Sequence, residues 1–127
     1  MGVRAGGVET GNPCAVGCII LAMNTAAQIV RKCKQTLTEH YGKRLRGVIL
    51  YGSNARGDAT RYSDIDLLVL LEQPFDYFTE LRRLVDALYP IQLESDVLIS
   101  AKPVFFMYFE QGTISLYRNA RREGVAV

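Results

Sequence analysis

The chain contains no tryptophan, a single histidine (His40) and only three cysteines, Cys14, Cys18 and Cys33. Three cysteines cannot all pair, and their spacing with His40 is not that of a zinc site, so neither a disulfide framework nor a structural zinc centre is expected. The reducing cytoplasm is the expected compartment. No apolar run has the length needed to span a bilayer. Residues 15–18 (Ala-Val-Gly-Cys) resemble a lipoprotein cleavage site, but the apolar residues follow the cysteine where a secretion signal would place them before it. Charge is also nearly balanced, at +2, so nothing draws the whole molecule toward nucleic acid or membrane, and polyanion binding has to be local. With 127 residues there is room for one domain with a real core and not for two.

Residues 1–22 are rich in glycine and show no sustained period, the pattern of a flexible extension. Met23 stands directly before the first helix signal, which marks it as the expected natural initiation site. Thr25 and Gln28 fit a capping box. Ala26, Ile29, Val30, Cys33, Leu37 and Tyr41 then recur at helical spacing up to Gly42, a C-terminal stop. His40, in the last turn, suits the helix dipole and is given no chemistry. Residues 46–51 read as a short apolar strand and 67–71 as a second, both buried on two faces. Between them residues 53–57 allow one helical turn and 57–60 a loop. Asp76 caps a third helix whose stripe is Phe78, Leu81, Leu84, Val85 and Leu88, with Pro90 ending it. A third strand is expected over Ser95–Ile99. From Pro103 the aromatic-rich remainder has a helical period, giving two helices broken at Gly112 and a stop at Gly124. Phe105, Phe106, Tyr108 and Phe109 are expected in the core, and the basic residues Arg31, Lys32, Lys34, Lys43 and Arg44 on a solvated face. There are no internal repeats.

The informative stretch is Gly52-Ser53-Asn54-Ala55-Arg56-Gly57 followed by Ser63-Asp64-Ile65-Asp66-Leu67. Alternate residues of a strand point to the same side, so Asp64 and Asp66 share a face. Two acids at a strand end repel unless a cation lies between them, and hard divalent ions take such oxygen ligands while keeping positions open for water and phosphate. Asp96, at the head of the apolar run Val97-Leu98-Ile99, is the expected third carboxylate. Gly52 and Ser53 offer close backbone approach, amide donors and a hydroxyl for phosphate oxygens. Arg56, with Arg61 as a weaker second, supplies a cation for the phosphates, and Ser63 is placed between a substrate contact and a local cap. This is neither the phosphate loop of P-loop enzymes nor the Gly-rich dinucleotide turn.

The two half-motifs, their spacing and the downstream Asp96 resemble the minimal nucleotidyltransferases of the DNA polymerase beta superfamily. The resemblance covers about residues 23–127, including the closing Arg122-Glu123-Gly124-Val125. It implies an α/β (α+β) fold with a small mixed sheet flanked by helices, a nucleoside triphosphate donor, most simply ATP, and two Mg²⁺ ions. It assigns Asp64, Asp66 and Asp96 to metal and catalysis, with Asp96 favouring deprotonation of the acceptor hydroxyl. Gly52 and Ser53 fall to the triphosphate. It further implies a HEPN-domain toxin as partner, neutralised by binding or by transfer of AMP. Two other readings stand beside it: an antitoxin that acts by complex formation alone, and a transferase acting on a small molecule of the aminoglycoside type. So short a chain leaves little for a separate acceptor domain, which a homo- or hetero-oligomer would have to supply, and no extended basic groove for a nucleic-acid template.

Overall fold

The computed structural model describes residues 25–57, 59–60, 63–72 and 74–127. The expected extension over 1–22 and Met23 lie outside the described residues, as do Asp58 and Arg61. Thr25 closes a full capping box with Gln28 and starts helix α1 (Ala26–Tyr41), which ends at Gly42 in a positive-φ conformation. A single 3₁₀ turn (Gly42–Arg44) leads into strand β1 (Leu45–Tyr51), and the short helix α2 (Ser53–Arg56) follows it. Strand β2 runs Ile65–Leu71 and helix α3 Tyr77–Glu94, the latter capped by Asp76, whose carboxylate accepts from the Thr79 amide at 2.9 Å. Strand β3 (Ile99–Phe105), helices α4 (Phe106–Gln111) and α5 (Ser115–Glu123) and a two-residue strand β4 (Val125–Ala126) complete the chain.

The four strands form one mixed sheet in the order β3-β2-β1-β4, with β1 antiparallel to β2 and to β4, and β2 parallel to β3. Register divides the side chains between two faces. Val48, Ile65, Leu67, Val69 and Leu71 face α1 and α3, meeting Ile29, Val30, Cys33 and Leu37 from one helix and Leu84, Leu88 and Ile91 from the other. Leu68, Leu70 and Val104 face the other way, against Phe109 of α4 and Ala120 of α5. The mixed sheet flanked by helices expected from the sequence is therefore the observed architecture.

Several boundaries differ from expectation, each for a physical reason. Pro90 does not end α3. Proline removes one backbone donor, but burial of Ile91 and two bonds from the Gln92 side chain hold the last turn: Gln92 accepts from the Ile99 amide at 2.7 Å and donates to the Val97 carbonyl at 3.0 Å. Those bonds hold residues 95–97 in a bend, so β3 begins at Ile99 and not at Ser95, with the Leu98 carbonyl accepting from the Ile65 amide at 2.9 Å. Pro103, Val104 and Phe105 consequently belong to this strand, and the helical period holds only from Phe106. The stripe of α3 is also turned: Leu84 and Leu88 are buried, Leu81 is half-buried, and Phe78 and Val85 face outward. Of β1 only Val48 is fully buried, because β4 covers just Ile49 and Leu50 on its outer side. Phe109 lies in the core as expected, whereas Tyr108 is exposed.

One polar residue is buried without a sequence signal. Glu80, 2% exposed in the first turn of α3, accepts from the Tyr41 hydroxyl at 2.7 Å and lies 3.4 Å from Arg83 and 3.7 Å from Arg44. Burial and the adjacent Glu80 raise the Tyr41 phenol far above its usual range. A charged acceptor of this kind ties the end of α1 to the start of α3. Tyr41→Phe is expected to cost about 2 kcal/mol, the usual worth of a hydrogen bond to a charged group, as a lower midpoint in urea denaturation with an unchanged slope.

Candidate active site

The site is built where β1 ends and β2 begins. In the antiparallel register Tyr51 lies opposite Asp66, which places the turn after β1 directly beside the first residues of β2. Gly52 has φ of +80°, and a Cβ built on it would stand 2.8 Å from Asp66 Oδ2. The backbone conformation therefore demands glycine, and any Cβ there would displace the Asp66 carboxylate. One step further, the Asn54 side-chain amide donates to the Asp64 carbonyl oxygen at 2.9 Å. Gly52 thus abuts one acid and Asn54 holds the backbone of the other, so the turn and the acid pair form one unit. Asn54 stood unassigned within the motif; only tertiary structure shows that its amide reaches ten residues along the chain.

Asp64 is exposed just ahead of β2, and Asp66 is half-buried on the sheet face that carries Leu68 and Leu70. Burial first, and the charge of Asp64 second, raise the Asp66 carboxyl above its ordinary value, while Lys102 of β3 opposes them. Lys102, paired in register with Leu68, is a residue the sequence did not single out. Its only signal is the alternation of Ser100 and Lys102 with apolar neighbours along β3. Ser53 opens α2 half-buried, and its hydroxyl has no hydrogen-bond partner among the described residues, which leaves it available to an oxygen of a ligand. Arg56 occupies the last turn of α2, exposed. Ser63 is committed locally, its Oγ accepting from the Thr60 amide at 2.9 Å to close the turn ahead of Asp64.

Asp96 is not drawn in with the other two acids. It is exposed in the bend before β3, where Ser95 Oγ bonds both the amide and the carbonyl of Val97, and the register opposite Asp66 is taken by Ser100. Among the described residues no group of three His, Cys, Asp or Glu side chains is placed to hold a metal ion. The two that do converge, Asp64 and Asp66, fit a hard divalent cation by donor type and by mutual repulsion. Cys33 takes no part: it is fully buried in the core, and burial pushes its thiol up to about 11.

The profile of the nucleotidyltransferase domain matches residues 30–124, three-quarters of the chain and the whole of this arrangement. The chain belongs to the nucleotidyltransferase domain family. Its fold and motif are those of the minimal nucleotidyltransferases of the polymerase beta superfamily. The curated relatives include four proteins of Methanocaldococcus jannaschii whose names describe candidate protein adenylyltransferases. One is 40% identical over 41% of this chain and 52% of its own length. Two others are 32% and 33% identical, over 58% and 66% of this chain and 73% and 83% of their own lengths. Against the first two relatives the chain spans about half of one and under a third of the other.

The geometry of this candidate site yields two predictions. Gly52→Ala is expected to abolish nucleotidyl transfer while leaving circular dichroism unchanged, since its Cβ displaces the Asp66 carboxylate and its backbone, at φ +80° and ψ −156°, costs an alanine about 1–3 kcal/mol. For Asp66, a raised carboxyl pKa means that the folded state holds its proton more tightly than the unfolded chain does. The fold is thus penalised once pH exceeds the unfolded value near 3.8. Asp66→Asn is therefore expected to melt higher than the parent at neutral pH in EDTA, with the difference vanishing as pH falls to about 3.8. Melting curves across that pH range check the sign.

Proposed function

We propose that the protein transfers a nucleoside monophosphate, with ATP as donor and AMP as the group moved, onto a hydroxyl of a protein partner. The observation that carries this reading is the contact of Gly52 with Asp66, which fuses a turn suited to phosphate with a pair of carboxylates. Gly52 and Ser53 hold the donor's phosphates through backbone approach, amide and hydroxyl, and Arg56 adds positive charge on the exposed side. Asp64 and Asp66 would hold Mg²⁺, which would supply charge neutralisation on the phosphates and help orient them for in-line displacement. The acceptor oxygen attacks the α-phosphorus, the bond from that phosphorus to the bridging oxygen breaks, pyrophosphate leaves, and the hydroxyl proton passes to a base.

We assign that base to Asp96, as the resemblance to the minimal nucleotidyltransferases implies. A general base contributes about 100-fold or more, so, without altering circular dichroism, Asp96→Asn is expected to lower turnover at least about 100-fold. Asp64→Asn is expected to lower it by at least about 100-fold, because the several kcal/mol of charge stabilisation from a bound cation go with it. The adenylyltransferase names of the relatives support AMP as the transferred group and a protein as acceptor. A HEPN-domain toxin is the partner we propose. Incubation with α-labelled ATP, Mg²⁺ and such a partner is expected to label the partner covalently. Absence of label with the intact protein, or undiminished label with Asp64→Asn, refutes the proposal.

A further inference from the structure

Helix α3 carries a second apolar stripe that its own domain does not use. Leu84, Leu88 and Ile91 are buried against the sheet, yet Phe78 is 76% exposed, Leu93 67%, and Val85 and Tyr89 56% each. At 100° per residue Phe78, Val85 and Tyr89 fall within about 40° of one another, with Leu93 at their margin, so they form a line along the helix and not scattered points. The stripe continues into a shallow groove of about 190 Å³ shared with β3, bordered by Val85, Tyr89, Gln92, Leu98 and Ile99, and Leu98 is itself exposed. Among the described residues β3 pairs on one side only, with β2. A contiguous apolar face on a helix that already buries its other side is the mark of an interface.

Charge decides what fits it. Arg82 and Asp86 lie along the margin of the stripe on either side of Val85, both exposed, and neither forms an ion pair among the described residues. A two-fold axis crossing α3 at residue 84 would bring Arg82 of one copy to Asp86 of the other, and the reverse. The same operation brings Phe78 to within one residue of the partner's Tyr89 and Val85 to within two of its own equivalent, about 1.5 and 3 Å along the helix axis and within side-chain reach. An isologous contact requires such self-complementarity, with opposite charges at equal distances from the axis. We propose that α3 is the seam of a homodimer, two copies packing their α3 helices antiparallel.

The arrangement leaves the chemistry accessible. The stripe belongs to the helix layer on one side of the sheet, whereas Asp66 lies on the face that carries Leu68 and Leu70. Each copy of such a dimer presents its acid pair outward, free to take donor and acceptor.

Sedimentation velocity and light scattering on the full chain over a dilution series test the seam. The parent is expected to be a dimer that dissociates on dilution, and Val85→Glu a monomer with unchanged circular dichroism. Arg82→Asp and Asp86→Arg, each placing like charges across the axis twice, are expected to weaken association at least about 10-fold. The double charge reversal, Arg82→Asp with Asp86→Arg, is expected to restore it to within about threefold of the parent, since each reversed residue again meets its opposite. Rescue of association by the double variant is the decisive outcome when the single reversals leave circular dichroism and melting unchanged, because an i,i+4 effect confined to one helix would show there and not in the dissociation constant. A parent that stays monomeric up to its solubility limit overturns the proposal and leaves the stripe to an unlike partner. A dimer undiminished by Val85→Glu, or a double reversal no better than the singles, overturns it as well.

Discussion

The antiparallel register of β1 with β2 is the constraint on which the site depends. Because Tyr51 lies opposite Asp66, the chain leaving β1 has to turn in the space beside the Asp66 carboxylate. Only a residue with no side chain and a positive φ can make that turn, and Gly52 is that residue. A shift of one residue in register would send Asp66 to the face covered by α1 and α3, among Leu67 and Val69, and would leave the turn facing an apolar side chain. The apolar alternation of β2 therefore fixes the chemistry as firmly as it fixes the core: Ile65, Leu67 and Val69 hold one face, and Asp66 has to appear on the other.

Two electrostatic conflicts are resolved in different ways in this molecule. Glu80 is nearly inaccessible, but Tyr41, Arg83 and Arg44 surround it, so its charge is matched within the fold. Asp66 is less buried and its conflict is left open: burial and Asp64 both disfavour its charge, and Lys102 offsets them only in part. A structural carboxylate is satisfied internally, as Glu80 is. One left above its ordinary pKa beside a second acid gains most from a cation supplied from outside, and that asymmetry distinguishes a binding group from a scaffold group.

Elements governed by local chemistry were legible in the sequence. The Thr25–Gln28 box, the Gly42 and Gly112 stops, the Asp76 cap and the single turn at Ser53–Arg56 all stand where their residues indicate. The motif Gly52-Ser53 with Asp64 and Asp66 was legible too, because spacing and residue type together are restrictive. What long-range contacts decide was not legible. Gln92 ties the segment after α3 to Val97 and Ile99, shifting β3 by four residues and leaving Asp96 in a bend. No periodicity in residues 90–105 encodes that bond. Asn54 and Lys102 escaped notice for the same reason, since each acts on a residue distant in sequence.

The rotated stripe of α3 follows from the same limit. Periodicity reports that a helix has apolar residues at helical spacing, but a helix with apolar residues over more than half its circumference leaves open which line faces the core. Here the sheet takes the line through Leu84, Leu88 and Ile91, together with Glu80, whose partners Tyr41 and Arg44 lie at the end of α1. The Tyr41–Glu80 bond favours that rotation: turning α3 to bury Phe78 and Val85 would carry Glu80 out toward solvent and leave the buried Tyr41 hydroxyl without its acceptor. The buried polar contact thus sets the outward direction of Phe78, Val85 and Tyr89, and through them the face that the domain offers to another molecule.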